Sequence, residues 1–290
     1  GDAEGSLTAM LAAVEVLQKT HEANPGFSHG REKLMAALTN CANTLNALRR
    51  TEEAEERTRA AVALGRGLVA EFPEVPSYRG ALALALNQTC YYEFMRGDMD
   101  AASVGLAEAL QQQEILARSR PSDSTLLAEM AAAYGNLNGI RLQREEYQPS
   151  LESAELGLAA IERALTSEPN QSQWRNIRRG ILNGRAWSLL KLGRWKEAAE
   201  SAREIDDDGE VDLLWRRAQI FERSSRIAAL DEAIDSSTRD LEATRLRDAA
   251  VADLSLAVER GHSDWSELAD PDEWTSLRSD PRFTRLAGEK

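Results

Sequence analysis

Six side-chain amides, those of Asn40, Asn43, Asn87, Gln88, Asn136 and Asn183, lie in stretches whose apolar residues recur at three- and four-residue spacing, the pattern of an amphipathic helix. Asn and Gln are neutral-to-poor choices for a helix interior unless their amides are used. Each amide carries a donor and an acceptor, the pair needed to hold a peptide backbone without reading its side chains. Tyr91 and Trp187 lie in the same stretches and offer stacking surfaces or apolar anchors. The chemistry open to this set is non-covalent capture of a chain. The competing reading is that the amides bond neighbouring helices to one another or face water.

Covalent and metal chemistry finds little support. His21, His29 and His262 are far apart in sequence, whereas a metal site or a nucleophile–base pair needs close partners; they read as surface residues. In the run Asp206, Asp207, Asp208, Glu210, Asp212, Gly209 comes too early for a calcium loop and no glutamate closes it, so it reads as a solvated acidic turn. Arg175, Arg178, Arg179 and Arg185 form a basic tract that either meets an acidic segment or balances nearby carboxylates. Gly65-Arg66-Gly67 lies mid-helix, and there is no Gly-rich phosphate loop, His-Arg-Asp loop or Asp-Phe-Gly motif. Cys41 and Cys90 fall in Ala-rich helical stretches and read as small buried packing residues, a disulfide being the alternative. No catalytic residue, cofactor or metal is expected.

The net charge of −13 over 290 residues argues against nucleic-acid or anionic-membrane surfaces, which require clustered Lys and Arg. No run of 18 apolar residues exists, so no membrane insertion by this segment is expected.

These residues must be positioned by something regular, and the prolines show it. Pro25, Pro73, Pro121 and Pro169 recur every 48 residues. A fixed period of this size means stacked copies of one supersecondary unit. Thirteen residues past each proline lie Leu38, Leu86, Tyr134 and Leu182; 29 past lie Ala54, Ala102, Ser150 and Ala198; 36 past lie Ala61, Ala109 and Gly157. Large and small residues at fixed offsets are what interlocking helices need. Polar breaks at Arg50-Thr51-Glu52, Gly97-Asp98, Arg144-Glu145-Glu146 and Gly193-Arg194 divide each unit into two helices of roughly 20 residues. Gly1-Asp2 shares the register of Gly97-Asp98, with Ser6 and Ala13 on the small positions. The chain is therefore expected to open in a second helix, as an excised part of a larger protein.

Leu192-Gly193-Arg194-Trp195-Lys196-Glu197-Ala198-Ala199 resembles the turn and second-helix start of a tetratricopeptide (TPR) repeat; Asn136-Leu137 followed by Tyr147 and Ser150 has TPR spacing too, as does Leu230-Asp231-Glu232-Ala233-Ile234. The family unit is about 34 residues, so seven are added to each helix, about two turns, which leaves the inward face unchanged. Ala257-Val258-Glu259-Arg260-Gly261, Asp270-Pro271-Asp272 and Leu277-Arg278-Ser279-Asp280-Pro281-Arg282-Phe283 resemble the terminal cap of bacterial TPR arrays. They are similar in particular to the C-terminal regions of planctomycete-type serine/threonine protein kinases.

The resemblance implies an all-α, right-handed TPR-like α-solenoid of long hairpins. Its expected parts are a half repeat (1–24), four hairpins (25–209, the last second helix ending about a heptad early at the acidic turn), an irregular fifth hairpin (210–262, with a second helix near 239–260) and a capping segment (263–290). In TPR folds the first helices line a concave groove, and the mapping sends Asn40, Asn43, Asn87, Gln88, Tyr91, Asn136, Asn183 and Trp187 toward it. The Lys and Arg of carboxylate-clamp TPRs are unmatched. The implied function is a non-catalytic module for a protein or peptide ligand, the sensor or docking region of a bacterial serine/threonine kinase. It would lie on the cytoplasmic or extracytoplasmic face of the membrane, in contact with the kinase domain of the parent chain. The alternatives are self-association and small-molecule sensing.

Overall fold

The computed structural model describes residues 3–261 and 273–288. Two compact units divide the chain, Gly1–Ile140 with Thr166–Glu168 and Arg141–Leu165 with Pro169–Lys290. All regular structure among the described residues is helical.

The helices keep the 48-residue beat. First helices of the hairpins are α2 (Ser28–Ala47), α4 (Pro76–Met95), α6 (Ser124–Gln143) and α8 (Ser172–Lys191), each 20 residues long. Second helices are α3 (Thr51–Glu71), α5 (Met99–Ser119) and α7 (Tyr147–Ser167), each 21 residues long. The short α9 (Trp195–Arg203) begins in the same register, and α1 (Ala3–Ala23) starts 48 residues before Thr51, as a second helix should.

The turn inside each hairpin repeats atom for atom. Arg49, Gly97, Glu145 and Gly193 have φ of 59°, 77°, 61° and 75°, the left-handed conformation that ends a helix. One residue on, the N–H groups of Arg50, Asp98, Glu146 and Arg194 donate to the carbonyls of Leu45, Glu93, Arg141 and Leu189, each at 2.9 Å. These Schellman closures satisfy carbonyls the helix would leave bare. Glycine takes this conformation freely, whereas Arg49 and Glu145 do so at a cost of roughly 1–2 kcal/mol. Arg49→Gly is therefore expected to stabilise the first unit by about 1 kcal/mol, read as a raised urea midpoint, with Arg49→Ala giving no gain.

In the first unit, α1 packs on α2, α2 on α3, α3 on α4 and α4 on α5. The fixed large positions Leu38 and Leu86 and the small positions Ala54, Ala61, Ala102 and Ala109 are all buried. Gly65 lets α3 meet both neighbours at once: a Cβ there would lie 2.8 Å from Met35 Cε and 3.2 Å from Leu82 Cβ. Leu116 of α5 shares a core with Leu126 and Met130 of α6, whose start is capped by Asp123 accepting the Leu126 N–H at 3.0 Å. Cys41 and Cys90 are buried and free, as packing residues. Ser6 and Ala13 keep the spacing of small positions but are exposed, because no first helix precedes α1 among the described residues.

The second unit departs from the beat. The Ser150 and Ser188 hydroxyls meet at 2.9 Å, joining α7 to α8, but α9 stops at Arg203 after nine residues, earlier than the acidic turn suggested. The reason is tertiary. Arg178 donates to the Glu204 carbonyl at 3.0 Å, Ile205 is buried, and the buried Arg179 holds Asp206 at 2.5 Å and Asp208 at 2.8 Å. The basic tract thus balances the acidic turn. Next come α10 (Val211–Ala228) and α11 (Ser236–Glu259). Leu230–Ile234 forms the turn between them, where Asp231 accepts from Trp195 Nε1 at 2.9 Å and from the Ala233 N–H at 3.0 Å. The helix begins at Ser236 because Asp235 caps it, accepting the Thr238 N–H at 3.0 Å. Hydrogen bonds from Ser237 and Thr238 hold the Asp235 carboxyl well below its usual range. Gly261, with φ of 90°, follows α11. Trp274, Leu277 and, on α12 (Pro281–Gly288), Phe283 join the core formed by Trp215, Phe221, Leu246 and Leu254. His262, Asp270, Pro271 and Asp272 lie outside the described residues.

Candidate functional site

Six of the eight predicted residues lie in the first unit and two, Asn183 and Trp187 on α8, in the second. They occupy three repeat positions. Asn40, Gln88 and Asn136 are equivalent at 48-residue spacing, as are Asn87 and Asn183, and as are Asn43, Tyr91 and Trp187.

The amides have different surroundings. Gln88 Nε2 donates to Asn43 Oδ1 at 2.7 Å, so this pair ties α2 to α4. Sequence reasoning missed a second tie beside it, Asn46 Nδ2 donating to the Tyr92 hydroxyl at 2.6 Å. Asn40 and Asn136 are exposed. The Oδ1 atoms of Asn87 and Asn183 are buried with no donor among the described residues.

Tyr91 and Asn136 come together in a cleft of about 320 Å³ between α4 and α6. Its α4 wall is Cys90, Tyr91, Phe94 and Met95, and its α6 wall is Gly135, Asn136, Gly139 and Ile140. Tyr91 is 55% exposed and Met95 64%, although both are large side chains with apolar surface to bury. Tyr91 is held edge-on to Tyr92, ring centroids 5.6 Å apart. Burial, together with the nearby Glu93 carboxylate, pushes the Cys90 thiol up to about 12, so it stays protonated at neutral pH and adds apolar surface rather than a nucleophile.

The cleft exists because of residues the prediction did not single out. Gly139 stands where the neighbouring repeats place Tyr91 and Trp187, and Gly135 where they place Asn87 and Asn183. No atom lies within 4 Å of a Cβ built on Gly139, so packing does not demand glycine there. The signal was available in the 48-residue alignment as two missing side chains at positions otherwise filled.

In the second unit, Trp187 lines a cleft of about 250 Å³ with Leu190 and Lys191 of α8, Arg223, Arg226 and Ile227 of α10, and Leu230. Trp187, Leu190 and Lys191 are the repeat equivalents of Tyr91, Phe94 and Met95. Both clefts therefore open at one address, the C-terminal half of a first helix facing the next first helix. A wider hollow of about 520 Å³ has mixed walls, Val62, Leu86 and Val104 beside Arg59, Arg66 and Glu93; Arg66 there is bound to Glu108.

No family model matches the chain, and no curated protein matches it. Among solved structures, that of BtubC (BKLC) from P. vanneervenii is similar with a TM-score of 0.54 and 14% identity, over 91% of this chain and 94% of that one. YrrB, a TPR protein with an unusual peptide-binding site, gives a TM-score of 0.44 and 16% identity over 86% and 94% of the two chains. A tetratricopeptide repeat protein from Parabacteroides merdae gives 0.39 and 12% over 91% and 95%. The first likeness concerns the fold alone. With its consecutive helical hairpins, the fold is TPR-like. Among the described residues no helix is long and apolar enough to cross a membrane.

Proposed function

We propose that the chain is a non-catalytic module that binds a protein or peptide by taking apolar side chains between successive first helices. The observation that supports this most strongly is the α4–α6 cleft, kept open by Gly135 and Gly139 under the exposed Tyr91 and Met95. A large apolar side chain buried there is worth about 1.5–3 kcal/mol. Asn136, at the rim, supplies a donor and an acceptor for the backbone that carries it. The walls exist before binding, so little ordering cost is added.

Gly139→Leu tests this. Open space around the Cβ and the better helix propensity of Leu predict an undiminished melting temperature. A peptide selected from a random displayed library on the unsubstituted protein is expected to bind the variant roughly 10- to 100-fold more weakly by fluorescence anisotropy, as the lost burial energy implies. Unchanged affinity would remove the cleft from the binding surface. The resemblance of the closing residues extends the proposal to the docking or sensor region of a bacterial serine/threonine kinase. An upstream coding sequence without a kinase domain would remove that extension.

A further inference from the structure

We infer that the α8–α10 cleft takes an acidic segment of a partner protein, a carboxylate side chain beside an apolar one. This rests on the peptide-binding reading above and assigns its second address a different chemistry. Of the seven lining residues, Lys191, Arg223 and Arg226 are cations and none is a carboxylate, in a chain with 48 acidic residues against 35 basic ones. At the equivalent address in the first unit, Met95 stands where Lys191 stands here, and that cleft is apolar.

The cations differ in how far they are committed. Arg223 lies over the Trp187 ring, 4.9 Å from its centroid, and pairs with Glu273. Its buried Nε–H has no acceptor among the described residues. Arg226 is 41% exposed, with Nη1 3.9 Å from Glu222 Oε2. Glu222 Oε1 accepts the Ser276 N–H at 3.0 Å, whereas the buried Oε2 has no hydrogen-bond partner among the described residues, so Arg226 is its compensating charge and Lys191 is the cation most open to a ligand. Lys191 Nζ is exposed, 5.9 Å from the Tyr147 ring centroid. Beside these charges stands an apolar shelf of Trp187, Ile227 and Leu230, the last 77% exposed. Charge-assisted bonds from Arg and Lys favour a carboxylate, and the shelf favours a neighbouring apolar side chain. A volume near 250 Å³ suits one anchor rather than a whole small-molecule ligand.

The probe is a pair of labelled, capped ten-residue peptides, one of Asp and Glu around a single Leu and Phe, the other with Asn and Gln in place of the acids. The acidic peptide is expected to bind the full chain at least tenfold more tightly by fluorescence anisotropy, and to weaken as salt is raised. Lys191→Glu, at an exposed position, is expected to cost at least tenfold while leaving the melting temperature unchanged, and Lys191→Met a smaller part of that. Equal affinity for the two peptides, or indifference to Lys191→Glu, would overturn the inference. Phenylacetate binding as tightly as the acidic peptide would also overturn it, by removing the protein partner. Gly139→Leu separates the two readings. Acidic-peptide binding that survives this substitution supports a distinct second site; loss of acid selectivity with Gly139→Leu still blocking the selected peptide sinks this inference alone.

Discussion

Trp274→Ala is expected to destabilise the second unit by about 3–5 kcal/mol, the usual cost of removing a buried tryptophan. The indole is fully buried. It stands edge-on to Trp215, ring centroids 5.1 Å apart, with Phe283 at 6.1 Å on another side. Aromatic pairs of this geometry add roughly 0.5–1.5 kcal/mol beyond burial. The same segment is tied to α10 by polar contacts: the Ser276 N–H donates to Glu222 at 3.0 Å, the Ser276 and Ser225 hydroxyls meet at 3.0 Å, and Glu273 pairs with Arg223. Residues 273–288 thus close the apolar face that α10 and α11 leave open. Urea denaturation followed by circular dichroism measures the loss; a change under about 1 kcal/mol would mean the segment is not part of the cooperative core.

Asp253→Ala is expected to cost about as much, about 3–5 kcal/mol, by a different route. Asp253, nearly buried on α11, accepts two bonds from Arg217 of α10, one from Nε at 2.8 Å and one from Nη2. Arg217 Nη1 reaches on to the Ile205 carbonyl at 2.9 Å, so one guanidinium fastens α10, α11 and the turn after α9. Its bond to the Asp253 carboxylate, opposed by burial, raises the Arg217 pKa; without that partner the guanidinium still stays charged, because arginine is protonated at any ordinary pH. Truncating one member of a buried pair leaves an uncompensated charge, whereas replacing both by apolar residues relieves it. The double variant Arg217→Met with Asp253→Leu should therefore recover much of the loss in the same measurement. A double variant no better than Asp253→Ala would show that the pair is not acting through burial of charge.

The sequence made the beat legible because turns leave durable marks: four prolines outside helices, two glycines at left-handed positions, and small residues where helices cross. The same turns at Arg49 and Glu145 carry no glycine, yet their breaks were readable from polar runs and from register. What was not legible depended on contacts distant in sequence. The end of α9 is imposed by Arg178, Arg179 and Arg217 reaching it from other helices, and no local pattern encodes that. The Leu230–Ile234 run has TPR spacing, but its conformation is set by Asp231 being drawn to Trp195, with the helix cap following at Asp235. At the candidate site, residue type pointed to Tyr91 and Asn136, which line one cleft, and not to Gly139 beside them, whose contribution is the space it leaves. Asn43 and Gln88 satisfy each other, a pairing that residue type alone does not distinguish from a ligand contact.

Two hollows at one repeat address, framed by the same backbone and separated by two periods, carry one meaning for how such a molecule diversifies. Tyr91, Phe94 and Met95 in one copy become Trp187, Leu190 and Lys191 in another, and an oily recess turns into a cationic one with no helix redrawn. The chemistry of each recess in this scaffold is then a matter of substituting a few letters within a line whose grammar stays constant.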